Sequence, residues 1–159
     1  MAQEDSQFLK FDTIKGPCSY TDFKDAFVIE DSQTNVSAQG EGQVPRIEPF
    51  TFVLRCGTTH ATALEQATRG NQAAKLKKAV FTRTIYVDNK RKPILEYTME
   101  NLTLKNVNSN HEPGSGEKIM SFTLEFTKLT QSTKDYKKDG TIAAAAGPVI
   151  WDFEKGEFQ

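Results

Sequence analysis

The segment SFTLEFT, residues 121–127, sets Phe122, Leu124 and Phe126 on one side of an extended chain and Ser121, Thr123, Glu125 and Thr127 on the other. Side chains alternate across a strand with a period of two, so this pattern predicts a strand with two unlike faces. The apolar face belongs in the core of the domain. The polar face needs a different neighbour, and what meets it bears on function.

The same alternation recurs along the chain. In LKKAVFTRTIYV (residues 76–87), Ala79, Phe81, Ile85 and Val87 share one parity, with Arg83 interrupting the apolar face. The polar cluster DNKRKP (88–93) predicts a turn, and ILEYTMENLTLKNV (94–107) begins with Leu95, Tyr97 and Met99 inward. Leu102 and Leu104 then switch parity, which predicts a β-bulge at Glu100 and Asn101. NSNHEPGSGEK (108–118) reads as a loop that makes a hairpin of its two flanking strands. FLKFDTIKG (8–16), DAFVIED (25–31), PFTFVLR (49–55) and GPVIWDF (147–153) read as further strands.

Only TTHATALEQATRG (58–70) carries helical spacing, through Ala61, Leu64 and Ala67 or Thr68, with Thr62 and Glu65 as a capping box and Gly70 as the stop. In KDYKKDGTIAAAAG (134–147) the alanines fit a short helix, whereas the flanking glycines and Pro148 favour an exposed loop. The pattern is mainly β: a sandwich or barrel with one short flanking α-helix.

A chain of 159 residues is one domain, 1–159, long enough to bury a core without metal or disulfide support. No apolar run approaches the ~20 residues of a membrane helix, so no membrane insertion is expected. The start, MAQEDSQFLK, lacks the basic and apolar regions of a secretory signal, and Cys18 and Cys56 are expected as reduced thiols after folding in the cytoplasm. Twenty basic and twenty-one acidic residues argue against the one-sided positive field of a nucleic-acid binder. KLKK (75–78) is split by alternation between two faces, and acids balance NKRK (89–92) over the chain.

The chemistry-bearing residues do not assemble into a site. Cys56 and His60 in RCGTTH are the candidate nucleophile and base of a cysteine hydrolase, but a strand-to-helix turn gives them no reason to point together. Zinc would have to gather Cys18, Cys56, His60 and His111 from three separate segments at no usual spacing. Glu30 and Asp31 are adjacent on a strand and so face opposite ways. Phosphate-binding and nucleophile-elbow signatures are absent, and AQGEG (38–42) is a loop with no helix behind it. No catalytic residue, metal or cofactor is assigned.

The order and spacing of FLKFDTIKG, PFTFVLRCGTTHATALEQATRG, ILEYTMENLTLKNVNSNHEPGSGEKIMSFTLEFTKLTQSTKDY and GPVIWDF resemble the haemolysin-coregulated protein (Hcp) family, the tube proteins of bacterial type VI secretion systems. Two departures stand out: VIEDSQ replaces a Trp-rich end to the second strand, and THATAL lacks the Pro common at the helix start. Phage tail tube proteins share this fold and are the alternative, with a small-molecule or carbohydrate-binding barrel behind them. The resemblance implies a barrel of two packed antiparallel sheets, six copies closing into a ring, and rings stacking into a tube. A contracting sheath drives that tube out of the cell, without a cleaved signal peptide. Its partners would be other copies, the sheath, the spike and effector proteins carried in the pore. In the family a long loop contacts the neighbouring ring. That loop corresponds here to Val36, Ser37, Ala38, Gln39, Gly40, Glu41, Gly42, Gln43 and Val44, within a polar connection too long to be idle in a compact domain.

Overall fold

The computed structural model describes residues 5–34, 36–37, 46–47, 49–67, 76–111, 113–114, 116–152 and 157–158. The chain forms β1 (Asp5–Phe11), a 3-10 turn (Thr21–Phe23), β2 (Phe27–Gln33), β3 (Val36–Ser37), β4 (Arg46–Ile47), β5 (Phe50–Gly57) and α1 (Thr58–Gln66). There follow β6 (Lys78–Val87), β7 (Lys90–Glu100), β8 (Thr103–His111), β9 (Glu117–Glu125), β10 (Lys128–Tyr136), β11 (Ile142–Asp152) and β12 (Glu157–Phe158). Ten strands make one antiparallel sheet in the order β12-β11-β10-β7-β6-β1-β2-β5-β9-β8, while β3 and β4 pair separately.

One bent ribbon closes that sheet into a barrel. β7 pairs with β10 from Leu95↔Thr133 to Glu100↔Lys128, and β8 with β9 from Thr103↔Glu125 onward, so the two ladders are a single ribbon interrupted by a corner. At the corner Asn101 takes φ 58, its Nδ2 donates to Thr127 Oγ1 at 2.9 Å, and the Thr127 N–H donates to Glu100 O at 3.1 Å. On one side of the corner β7 pairs with β6; on the other, β9 pairs with β5. Since β6 and β5 are joined through β1 and β2, the sheet returns to the ribbon it started from. The two expected sheets are thus the two halves of one rolled sheet.

The parity switch after Met99 is therefore not a bulge. It is the point where the chain turns the corner, so that Met99 before it and Leu102 and Leu104 after it are all buried in the same interior. The bulge of this strand lies at Ile94, where Arg83 pairs with Leu95 but Thr84 pairs with Pro93, a residue with no N–H for the ladder. Strands also reach further than their polar composition suggests. The turn after β6 is only Asp88 and Asn89, with φ of 51 and 60, which Asp and Asn tolerate in a two-residue hairpin. β8 and β9 form the expected hairpin, but they extend to His111 and from Glu117. The alanine run is neither helix nor loop: Ala144, Ala145 and Ala146 pair with Asp135, Lys134 and Thr133, and this ladder overrides the helix preference of Ala.

Inside the barrel Phe27, Phe50, Phe52, Phe81, Phe122 and Leu124 are each 1% exposed or less. Phe126 of the opening segment is half-buried, its ring 4.9 Å from that of Phe50. α1 packs on one end of the barrel through Ala61, Leu64 and Ala67. It begins at Thr58 directly from β5, so Thr62 lies inside the helix and donates to Thr58 O at 2.9 Å instead of capping it. The expected stop, Gly70, lies outside the described residues.

A second, smaller core covers the outer side of β1, β6 and β7. Phe8 points away from the barrel interior and stacks on Phe23 at 4.1 Å, with Cys18 and Ala26 beside it. Arg91 locks this layer: its guanidinium lies 5.2, 5.4 and 4.6 Å from the rings of Phe8, Tyr20 and Tyr86, and it donates to Thr84 Oγ1 at 3.0 Å and Tyr86 OH at 2.9 Å. Arg91→Ala strips a hydrogen bond from the fully buried Thr84 and empties the stack. The expected loss is about 1–3 kcal/mol, read as a lowered urea midpoint, and Arg91→Lys should recover little because it cannot reproduce the planar fork.

Candidate functional site

The residues that the sequence offers for chemistry are held apart. Cys56 is buried at the end of β5 with its Sγ 3.7 Å from Met120 Sδ. His60 on α1 has Nδ1 3.1 Å from Lys15 O and meets the Phe27 ring edge-on at 6.3 Å. Burial, with Glu117 adding to it, pushes the Cys56 thiol up from 9.0 to about 11. A thiol so raised stays neutral near pH 7, and thiol-reactive probes are expected to label Cys56 no faster than they label the unfolding chain. The unfolded chain ionises this thiol first, so its contribution is intact below pH 9.0 and is lost as pH rises toward about 11. Among the described residues no group of three or more His, Cys, Asp or Glu is placed to hold a metal.

Glu30 and Asp31 do not face opposite ways. A register shift in β2 between Ile29 and Asp31 leaves both exposed, but Glu30 is engaged by Arg55 at 2.9 Å. Of the basic clusters, NKRK supplies Arg91 to the outer core rather than a free charge. Arg83 does interrupt the inward face, between Gln7 and Leu95. Among the described residues no helix is long and apolar enough to cross a membrane.

What remains is surface, and its two flanks differ. The outer side of β1 and β6 is sealed by residues 16–26 through Phe23 and Ala26. The outer side of β2, β5, β9 and β8 carries no such layer among the described residues. Thr51 sits opposite Thr123 with hydroxyls 3.5 Å apart, Val53 opposite Ser121, and Lys105 of β8 pairs with Glu125 at 3.0 Å. This is the polar face of the opening segment: short hydroxyl side chains with both signs of charge, beside which Val28 of β2 is exposed.

The two ends of the barrel differ as well. β2 ends and β5 begins at the pair Gln33↔Thr51, and from that end the chain enters β3 and β4, where Val36 pairs with Ile47 and Ser37 with Arg46. Ala38, Gln39, Gly40, Glu41, Gly42, Gln43 and Val44 lie outside the described residues. β5 runs from that end to Gly57 and into α1 at the other. There, residues 13–15 cross the helix and bound a groove of about 500 Å³. No local sequence pattern signals this groove, because segments more than forty residues apart build it.

Residues 8–132 match the family model described as "Type VI secretion system effector, Hcp". The fold is similar to that of a type six secretion system protein, with a TM-score of 0.83 at 11% identity over 97% of this chain and 99% of that one. It is similar to Hcp1 from Salmonella typhimurium, with a TM-score of 0.73 at 16% identity over 99% and 100% of the two chains. A type VI secretion system effector from Yersinia pestis gives 0.66 at 16% identity over 92% and 98%. No curated protein matches the chain. The matched span takes in β2 to β9 with α1 and the corner at Asn101, and most of β1 and part of β10, while β11 and β12 lie beyond it; the chain belongs to the Hcp family of type VI secretion systems.

Proposed function

We propose that this protein is a structural tube subunit and not an enzyme: six copies close into a ring, and rings stack into a hollow tube that a contracting sheath expels. The carrying observation is the unequal covering of the barrel. One flank is sealed by the chain itself, while the flank formed by β2, β5, β9 and β8 presents Thr51, Ser121 and Thr123 among the ion pairs Arg55–Glu30 and Lys105–Glu125. A surface of that kind suits a water-filled pore, where mixed charge and short side chains neither collapse nor hold cargo irreversibly. We assign that flank to the pore, where effector proteins travel, and residues 36–44 to contact between rings. The subunit folds in the cytoplasm and leaves the cell through the apparatus.

The ligand-binding barrel is disfavoured by the interior itself, which Phe50, Phe52, Phe81 and Phe122 fill. Native mass spectrometry, with negative-stain imaging of the same sample, tests the proposal. A closed ring of six is expected. A protein that stays monomeric at high concentration and moderate salt overturns it.

A further inference from the structure

Among the described residues one buried side-chain nitrogen has no hydrogen-bond partner, Nε of Arg83. A polar atom shut away from water without a partner is costly, and one on a charged group more so, which is why native proteins rarely leave one. Arg83 shares the inward parity of Phe81, lies between Gln7 of β1 and Leu95 of β7, and is half-buried. No ion pair joins it to a carboxylate among the described residues. Glu96, its nearest acid on β7, has the opposite parity and is exposed.

The polar groups around it supply further donors. Ser32 Oγ donates to Gln7 Oε1 at 2.6 Å, which occupies the acceptor of that amide and leaves its NH2 group to donate. Tyr97, opposite Phe81 and diagonal to Arg83, is buried, and its hydroxyl is hydrogen-bonded to Thr34, the residue that follows β2. Burial raises the Tyr97 pKa while that hydrogen bond and the Arg83 charge oppose it, so the guanidinium lies within electrostatic reach of the hydroxyl. We infer that Arg83 is the anchor of a carboxylate-binding site, in which Nε–H and one terminal N–H of the guanidinium hold the two oxygens side-on, with the Gln7 amide and the Tyr97 hydroxyl beside them. That side-on pairing is the one in which a guanidinium uses Nε, the atom left without a partner here. A single half-buried cation also matches a planar monoanion in charge, whereas a phosphate brings up to two charges and a third strong acceptor. The site needs no ring and no tube, because every group named belongs to one copy.

Sodium acetate, titrated against sodium chloride at constant ionic strength and neutral pH, tests the site through thermal melting of the full chain. A saturable stabilisation is expected. At about ten times its Kd acetate multiplies the folded-to-unfolded ratio by about eleven, which raises the melting temperature by about 3–6 °C. Arg83→Met is expected to remove the shift, and Arg83→Lys to recover little of it, because a lysine keeps the charge but loses the side-on pair. Should Arg83→Met fail to fold, spectra of the wild type carrying 15N-labelled arginine replace it, and one Nε–H signal is expected to move with the same acetate dependence. A carboxylate side chain of a neighbouring copy is the other source of the same chemistry, and the assembled and dissociated forms separate the two. Acetate that acts on both forms identifies a free carboxylate as the ligand; acetate that acts on the dissociated subunit and not on the assembly identifies a neighbouring copy as its source. A melting temperature and arginine spectrum indifferent to acetate in both forms, or a shift that survives in Arg83→Met, overturns the inference.

Discussion

Phe122→Ala is expected to lower stability by about 3–5 kcal/mol, the range for emptying a large buried aromatic site. Phe122 is 1% exposed, lies directly opposite Phe52 in the ladder with ring centroids 5.8 Å apart, and touches Phe11 at 6.3 Å. Its neighbours hang from strands closed into a barrel, so they cannot slide inward to fill the space as helices can. Most of the cavity should persist. A domain of this size has about 5–15 kcal/mol to lose, and the melting temperature is expected to fall by roughly 6–20 °C. Phe126→Ala is the internal control. Phe126 has the same parity and chemistry but is half-buried at the corner, against Phe50, and should cost clearly less. Equal losses for the two, or unchanged melting for Phe122→Ala, would show that the strand does not sit in this register.

That contrast shows what alternation can and cannot carry. Phe122 and Leu124 were legible as core because their neighbours on each side are strands of the same sheet. Phe126 follows the same pattern yet sits where the ribbon turns, and a period of two holds no record of where a sheet bends. The corner at Asn101 left a trace in the sequence, the parity switch from Met99 to Leu102, but a bulge and a change of partner strand leave the same trace. Asn in the left-handed region, which Asn adopts more readily than most residues, was the one local clue to which had occurred.

The environment of Arg91 is hidden from the sequence for a related reason. Arg91 looked like part of a surface cluster, and only the return of residues 16–26 across the sheet brings Phe8 and Tyr20 under its guanidinium. The alanine run of β11 reads as an exposed loop from its flanking glycines and Pro148, because nothing local reveals its ladder with β10. The groove beside α1 was invisible altogether. Lys15 and His60 meet through a carbonyl, a contact that no side-chain pattern encodes.

Replacing residues 38–45 by the dipeptide Asn-Gly is expected to abolish tubes while leaving rings intact. The design follows from β3 and β4: Ser37 and Arg46 are already ladder partners, so a two-residue turn can join them without moving either strand. Shrinking eight loop residues to two is two halvings in length, and at about 0.6 kcal/mol for each the folded state should gain about 1.2 kcal/mol. A raised urea midpoint therefore certifies that the variant folds, and any lost assembly cannot be blamed on instability. On the proposed assembly, ring closure falls to the flanks of the barrel and stacking to its ends, so native mass spectra should keep the ring of six as long filaments vanish from stained grids. Export by the living secretion system should fall with them. If the ring is lost as well, residues 38–45 serve closure within a ring and the division between flanks and ends is wrong. If filaments and export persist at wild-type levels, the segment has no role in stacking and serves nothing more than to connect β3 to β4.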